Sequence, residues 1–222
     1  MFQQSTLNFL RHLSKNNNKL WLDENRNNYL AAKTDFENFV SLLIKGISWF
    51  DADIKELQVK ECTFRLNRDI RFAKDKTPYK INMGASINKG GKKSLYAGYY
   101  FHVEPGNKSF AGGGLWMPMA PELKKVRQEI DYNFDEFRSI LNNKKFITHY
   151  KALEITDDVK LINLPRGYEK TNPAADYLKL KSFIATKPIS DSDLINPSLL
   201  SQTAKAFEAL IPFVKFINKA LE

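Results

Sequence analysis

Arg65, Asn67, Asp69 and Arg71 sit at alternate positions of one short run. On an extended chain alternate side chains share a side, so this run would present two guanidinium forks, an amide and a carboxylate together. Arginine forks match the oxygens of phosphate and carboxylate in pairs. Lys74, Lys76 and Lys80 follow around a Thr77-Pro78 turn, where exposed backbone amides and ammonium groups suit a phosphate. Further on, Tyr96, Tyr100 and His102 alternate, Gly112 and Gly114 leave open space, and Trp116 ends that stretch. Glycine inside a strand marks close approach by a backbone or a ligand, and aromatic rings stack on bases and sugars. The expected ligand-binding set is Arg65, Asn67, Arg71, Lys76, Lys80, Tyr100 and Trp116. His102 and Asp69 are the acid–base candidates. The competing expectation is a scaffold: helices cover this face and Asp69 pairs with a neighbouring arginine.

Charge points the same way. The 222-residue chain has 34 Lys and Arg against 25 Asp and Glu, a formal +9. Ten cations and three anions lie between Lys60 and Lys93, so a local +7 accounts for most of that excess. A basic surface favours nucleic acid, phosphorylated small molecules or acidic lipid surfaces.

Several familiar chemistries are excluded by spacing. Gly84–Ser94, GASINKGGKKS, lacks the separation and the strand-to-helix context of a nucleotide phosphate loop. His12, His102 and His149 form no metal-ligand pattern. No GxSxG is present, and the lone Cys62 has no nucleophile signature and reads as a buried structural thiol. Neither a metal nor a cofactor is expected. A single cysteine suits a reducing cytosol, the first residues lack a secretory pattern, and no apolar run reaches membrane-spanning length. The expected setting is cytoplasmic.

The elements that must position these residues follow from periodicity. Ser5 is a natural cap for a helix carrying Leu7, Leu10 and Leu13. Asn16–Asn18 break it, and a longer helical pattern runs from Leu20 to Ile47. The period then becomes two: Phe64, Leu66, Ile70 and Phe72 predict a strand, with Arg68 on its apolar side as a structural charge. Ile81–Ile87, Leu95–Val103 and Phe110–Trp116 predict three more, with turns at Asn88–Gly91 and Pro105–Asn107. Helices resume at Pro121, Lys181–Lys187 reads as a late strand, and an apolar stripe runs from Leu199 to Ile217, with a kink expected at Pro212. The prediction is one α+β domain over residues 1–222: an antiparallel sheet of four or more strands with N- and C-terminal helices packed on it.

Certain blocks resemble the bacterial and fungal family of conserved hypothetical proteins known as domain of unknown function 2461. They are Phe9-Leu10 with Asn16-Asn17 and Trp21; Arg65–Phe72 with Asp75–Lys80; Gly98–His102; Gly112–Gly114 with Trp116 and Pro118; Leu164–Tyr168; and Lys181–Phe183. Leu22, after the Trp, departs from the pattern. The resemblance implies one α+β domain and supplies no reaction class.

The function expected from the residues is a cytosolic binding protein for a phosphate-bearing or other anionic ligand on a basic sheet face. Alternatives are an enzyme acting on such a ligand through His102 or Asp69, a nucleic-acid binder, and a protein-interaction module.

Overall fold

Helices open the chain where apolar residues recur at helical spacing. The computed structural model describes residues 1–222. Helices α1 (Gln4–Lys15), α2 (Lys19–Glu24) and α3 (Arg26–Ile47) are followed by a 3-10 turn at Ala52–Ile54 and a short α4 (Val59–Cys62). Strands β1 (Met83–Asn88), β2 (Gly98–Val103) and β3 (Ser109–Leu115) come next, then α5 (Ala120–Tyr132), α6 (Phe134–Leu141), α7 (Lys144–Tyr150) and α8 (Ala175–Leu178). Strand β4 (Phe183–Ile189), α9 (Asp191–Leu194) and α10 (Leu199–Leu221) complete the chain.

Ser5 is not the cap of α1. Gln3 holds that position, and Asp35 on α3 accepts from the Gln3 N–H (2.9 Å) and the Thr6 hydroxyl (2.5 Å). A carboxylate from a packed neighbour thus replaces the local cap. Asn18 does cap α2, accepting from the Trp21 N–H at 3.0 Å. Helix α10 continues through Pro212 as one element.

The four strands pair antiparallel in the order β1-β2-β3-β4. One face is apolar. Ala85 and Ile87 of β1, Tyr99, Phe101 and Val103 of β2, Ala111 and Leu115 of β3, and Phe183 and Ala185 of β4 are buried. Helices α3 and α10 pack on its strands, with α1 packed on α3, and Leu10, Phe39, Leu43, Phe207, Leu210 and Phe213 are all inaccessible or nearly so. Phe2 and Phe39 lie against Phe101, and Phe207 against Tyr99. These side chains belong to one cluster of 49 buried residues, a single core. The Tyr99 hydroxyl donates to the buried Asp51 at 2.8 Å, joining the 3-10 turn to the centre of the sheet. No helix is long and apolar enough to cross a membrane.

The expected strand over Phe64–Phe72 is absent. Only Thr63 and Phe64 pair with the sheet backbone, through a bridge to Ala85 and a Phe64 N–H to Gly84 carbonyl bond of 3.0 Å. Beyond them the chain turns on itself. Arg68 N–H donates to the Pro78 carbonyl and Lys80 N–H to the Leu66 carbonyl, each at 2.9 Å. Asn17 clamps the far end, donating to the Tyr79 carbonyl (2.9 Å) and accepting from the Tyr79 N–H (3.1 Å). The backbone groups find partners inside this loop, so alternation of side-chain type produces no ladder. Of the supposed apolar side, Leu66 is buried while Phe72 is 95% exposed.

Candidate functional site: a glycine-floored groove

The second face of the sheet carries no helix. Gly84, Ser86, Gly98, Tyr100, His102, Phe110, Gly112, Ile184 and Thr186 line a groove of about 850 Å³, walled by Phe64, Arg68, Lys80, Lys92, Tyr96 and Trp116. Its size falls in the range of small-molecule sites, about 300–1,000 Å³. Register explains the floor. Gly84 stands opposite His102, Tyr100 opposite Gly112, and Gly112 opposite Thr186. Missing side chains keep the floor low beside the Tyr100–His102 row, but they do not leave the open space expected of Gly112 and Gly114: a Cβ at either would meet the backbone of β4, and one at Gly84 the Tyr100 hydroxyl. A smaller hollow of about 400 Å³ adjoins it across β4, sharing Phe110, Trp116, Ile184 and Thr186. There the Thr186 hydroxyl donates to Glu154.

Two of the wall's three cations, Arg68 and Lys80, come from the loop that failed to become a strand. Arg68 does not point away from the site, as its place in the alternation suggested; it lines the groove. It donates to Asp75 at 2.6 Å and to the Thr77 carbonyl at 3.1 Å, and it contacts the Thr77 hydroxyl. Lys80 is half-buried, with its ammonium 5.3 Å above the Phe64 ring and no carboxylate partner. Burial, followed by the nearby Arg65 charge, lowers its pKa. Lys92 donates to the Lys60 carbonyl at 2.6 Å.

Asp75 is the hinge of this loop's electrostatics. The Thr77 N–H (2.9 Å), Arg68 and the Thr77 hydroxyl hold its carboxyl down at about 2. A carboxyl whose folded pKa lies below its ordinary value of 3.8 contributes stability that is present above that value and lost as pH falls through about 2. We expect a carbonyl-carbon NMR titration to place the Asp75 midpoint near 2, and R68A to move it upward. A midpoint at the ordinary value would mean the loop is not closed this way.

On the open face of β2, His102 sits between two neighbours. Its Nδ1 lies 3.4 Å from the Tyr100 hydroxyl and its Nε2 lies 3.1 Å from a Glu104 carboxylate oxygen. The ring stacks on Phe110 at 4.8 Å, with 15° between planes. Burial lowers the His102 pKa, and the Glu104 hydrogen bond and charge oppose that shift. Burial also raises the Tyr100 phenol.

A family profile for conserved hypothetical proteins (DUF2461) matches residues 5–216. The chain belongs to this family. No curated protein and no solved structure matches it.

The expected site residues divide within this family member. Lys80, Tyr100, Trp116, His102 and Asp69 line the groove. Arg71 and Lys76 do not. Arg71 is 76% exposed and bidentate on Asp69, at 2.9 and 2.6 Å, while the Lys76 ammonium bonds to the Ile70 carbonyl at 3.0 Å. Asn67 bridges to Tyr79 within the loop, and Arg65 stands close enough to Lys80 and Asp69 to influence both. Arg68, Lys92, Phe110 and Glu104 were not among the expected set. Glu104 continues the alternate series of Tyr100 and His102, which was the signal available for it.

Proposed function

We propose that the groove binds a small anionic molecule, a phosphate-bearing one with a ring that stacks on Trp116 or Tyr100. The observation that carries this reading is Lys80. A half-buried ammonium with no carboxylate partner, disfavoured further by Arg65, gains most from an incoming anion. Aromatic walls around a glycine floor supply the surface for a flat ring. A trough of this volume suits a small ligand better than a nucleic-acid strand, which needs an extended basic track. The lone buried thiol, Cys62, whose pKa burial pushes up to about 11, accords with a cytoplasmic setting.

Thermal melting with inorganic phosphate, ribose 5-phosphate and adenosine monophosphate tests the reading. A ligand at 100 times its Kd adds about 2.7 kcal/mol, which for a chain of this size raises Tm by about 5–10 °C. Lys80→Met should weaken that binding about tenfold or more, since a charge-assisted bond is lost. Unmoved melting with all three compounds would overturn the reading.

A further inference from the structure

Tyr100, His102 and Glu104 project from one side of β2 and its immediate continuation, and two hydrogen-bonding contacts join them in series. Their order has a direction. A carboxylate only accepts, so the hydrogen between His102 and Glu104 belongs to Nε2. In the neutral ring Nδ1 is then an acceptor, and the Tyr100 hydroxyl is the group that donates to it. His102 and Glu104 side chains are 12% and 16% exposed. Tyr100 is the member whose hydroxyl leans over the floor: a Cβ added at Gly84 would lie 2.5 Å from it. Gly84 therefore leaves the space that this hydroxyl occupies, and Phe110 stacked on the imidazole holds the ring plane. Asp69 is engaged by Arg71 and lies outside this series.

We propose that the protein is an acid–base enzyme in which the Tyr100 hydroxyl exchanges a proton with a phosphate-bearing hydroxy or carbonyl compound in the groove, relayed by His102 and Glu104. This rests on the groove reading above. In the forward step a ligand O–H, or a C–H beside a carbonyl, gives its proton to the Tyr100 oxygen. The phenolic proton of Tyr100 passes to His102 Nδ1. The ligand becomes an alkoxide or enolate and His102 an imidazolium beside the Glu104 carboxylate, so overall charge is unchanged. The reverse transfers return the proton to the same or a neighbouring ligand atom. Tyr100 is the catalytic residue, and His102 and Glu104 are positioning residues that accept and stabilise the charge.

Ribose 5-phosphate, glucose 6-phosphate and fructose 6-phosphate, each incubated with the protein in D2O and followed by proton NMR, give the test. Melting is recorded with the same three compounds. At least one should raise Tm and also lose a carbon-bound proton signal or convert to product. Tyr100→Phe should keep the melting shift and slow that exchange at least about 100-fold. Glu104→Gln should slow it less. Nitrogen-15 NMR of the wild-type imidazoles should show His102 protonated at Nε2, and Glu104→Gln should move those ring shifts, which a scaffold role would not link to exchange rate. Stabilisation without exchange, undiminished exchange in Tyr100→Phe, or a proton resident on Nδ1 would each overturn the relay while leaving the groove reading intact. No stabilisation by any of the three would overturn the relay, and the groove reading falls with it only if inorganic phosphate and adenosine monophosphate leave melting unmoved as well.

Discussion

Gly114→Ala should be the most damaging single methyl in the sheet. Gly114 has φ +120°, a conformation that side chains rarely adopt. A Cβ there would also run into the Phe183 carbonyl oxygen, a backbone atom of the neighbouring strand, and approach Phe213 at 3.0 Å. Relief requires either rotating the backbone of β3 or moving β4 away, and β4 is paired to β3 along its length, Ser109↔Ile189 through Leu115↔Phe183. Strain at such a position costs about 1–3 kcal/mol before any displacement is counted. The combined loss should reach at least about 3 kcal/mol, a drop of roughly 6–12 °C in Tm for a chain of this length. Melting of the variant within 2 °C or so of the wild type would show that the end of β3 yields more easily than this geometry requires.

Phe101→Ala should cost about 3–5 kcal/mol. Phe101 is fully buried at the middle of β2. Its ring lies 4.9 Å from Phe39 of α3 and 6.1 Å from Phe2, nearly parallel to the latter. No rearrangement of one neighbour fills the resulting cavity, because the three rings come from three separate segments. Set against a usual domain stability of about 5–15 kcal/mol, the loss is a large fraction. Urea unfolding should show a lower midpoint with an unchanged slope, since the surface exposed on unfolding is nearly the same. Phe101→Leu should fall in between. A midpoint shift worth under about 1 kcal/mol would mean that the N-terminal segment and α3 repack freely onto the sheet.

The sequence made the scaffold legible where one local rule acted alone. Leu7, Leu10 and Leu13, and later Phe207, Leu210, Val214 and Ile217, announce helices by spacing, and all are buried. Gly90 and Gly91, at φ +82° and +81°, and Gly106 with Asn107, at +89° and +60°, sit where the turn residues foretold hairpin connections. The Arg65–Phe72 run misled because alternation reports side-chain type and not where backbone donors go. Its outcome depended on Asn17, 62 residues before Tyr79, and on Asp75 and Thr77 drawing Arg68 back into its own loop. Pairing likewise removed Arg71: Asp69, two residues away, satisfies its fork. On β2 the period of two placed Tyr100 and His102 on one face, but the approach of the His102 ring to Tyr100, Glu104 and Phe110 is a product of rotamer and register together. Tyr96, expected on a strand with Tyr100, reaches the groove from the connection before β2, and so does Lys92, which composition marked only as part of the basic segment.

The glycine floor sets a limit on how this groove can change. Gly84, Gly98, Gly112 and Gly114 carry no side chain to remove, so any substitution among them subtracts volume, and additions at Gly84 or Gly98 meet Tyr100 or Asn88 atoms closer than side chains normally approach. At these four positions the trough is already as deep as the backbone allows. New ligand preferences are acquired with least disturbance through the walls, because Phe64, Lys80, Tyr96 and Trp116 all lie outside the four strands. Exchanging them alters shape and charge without touching the ladder that holds the floor, so the site is free to diversify sideways while its base stays immutable.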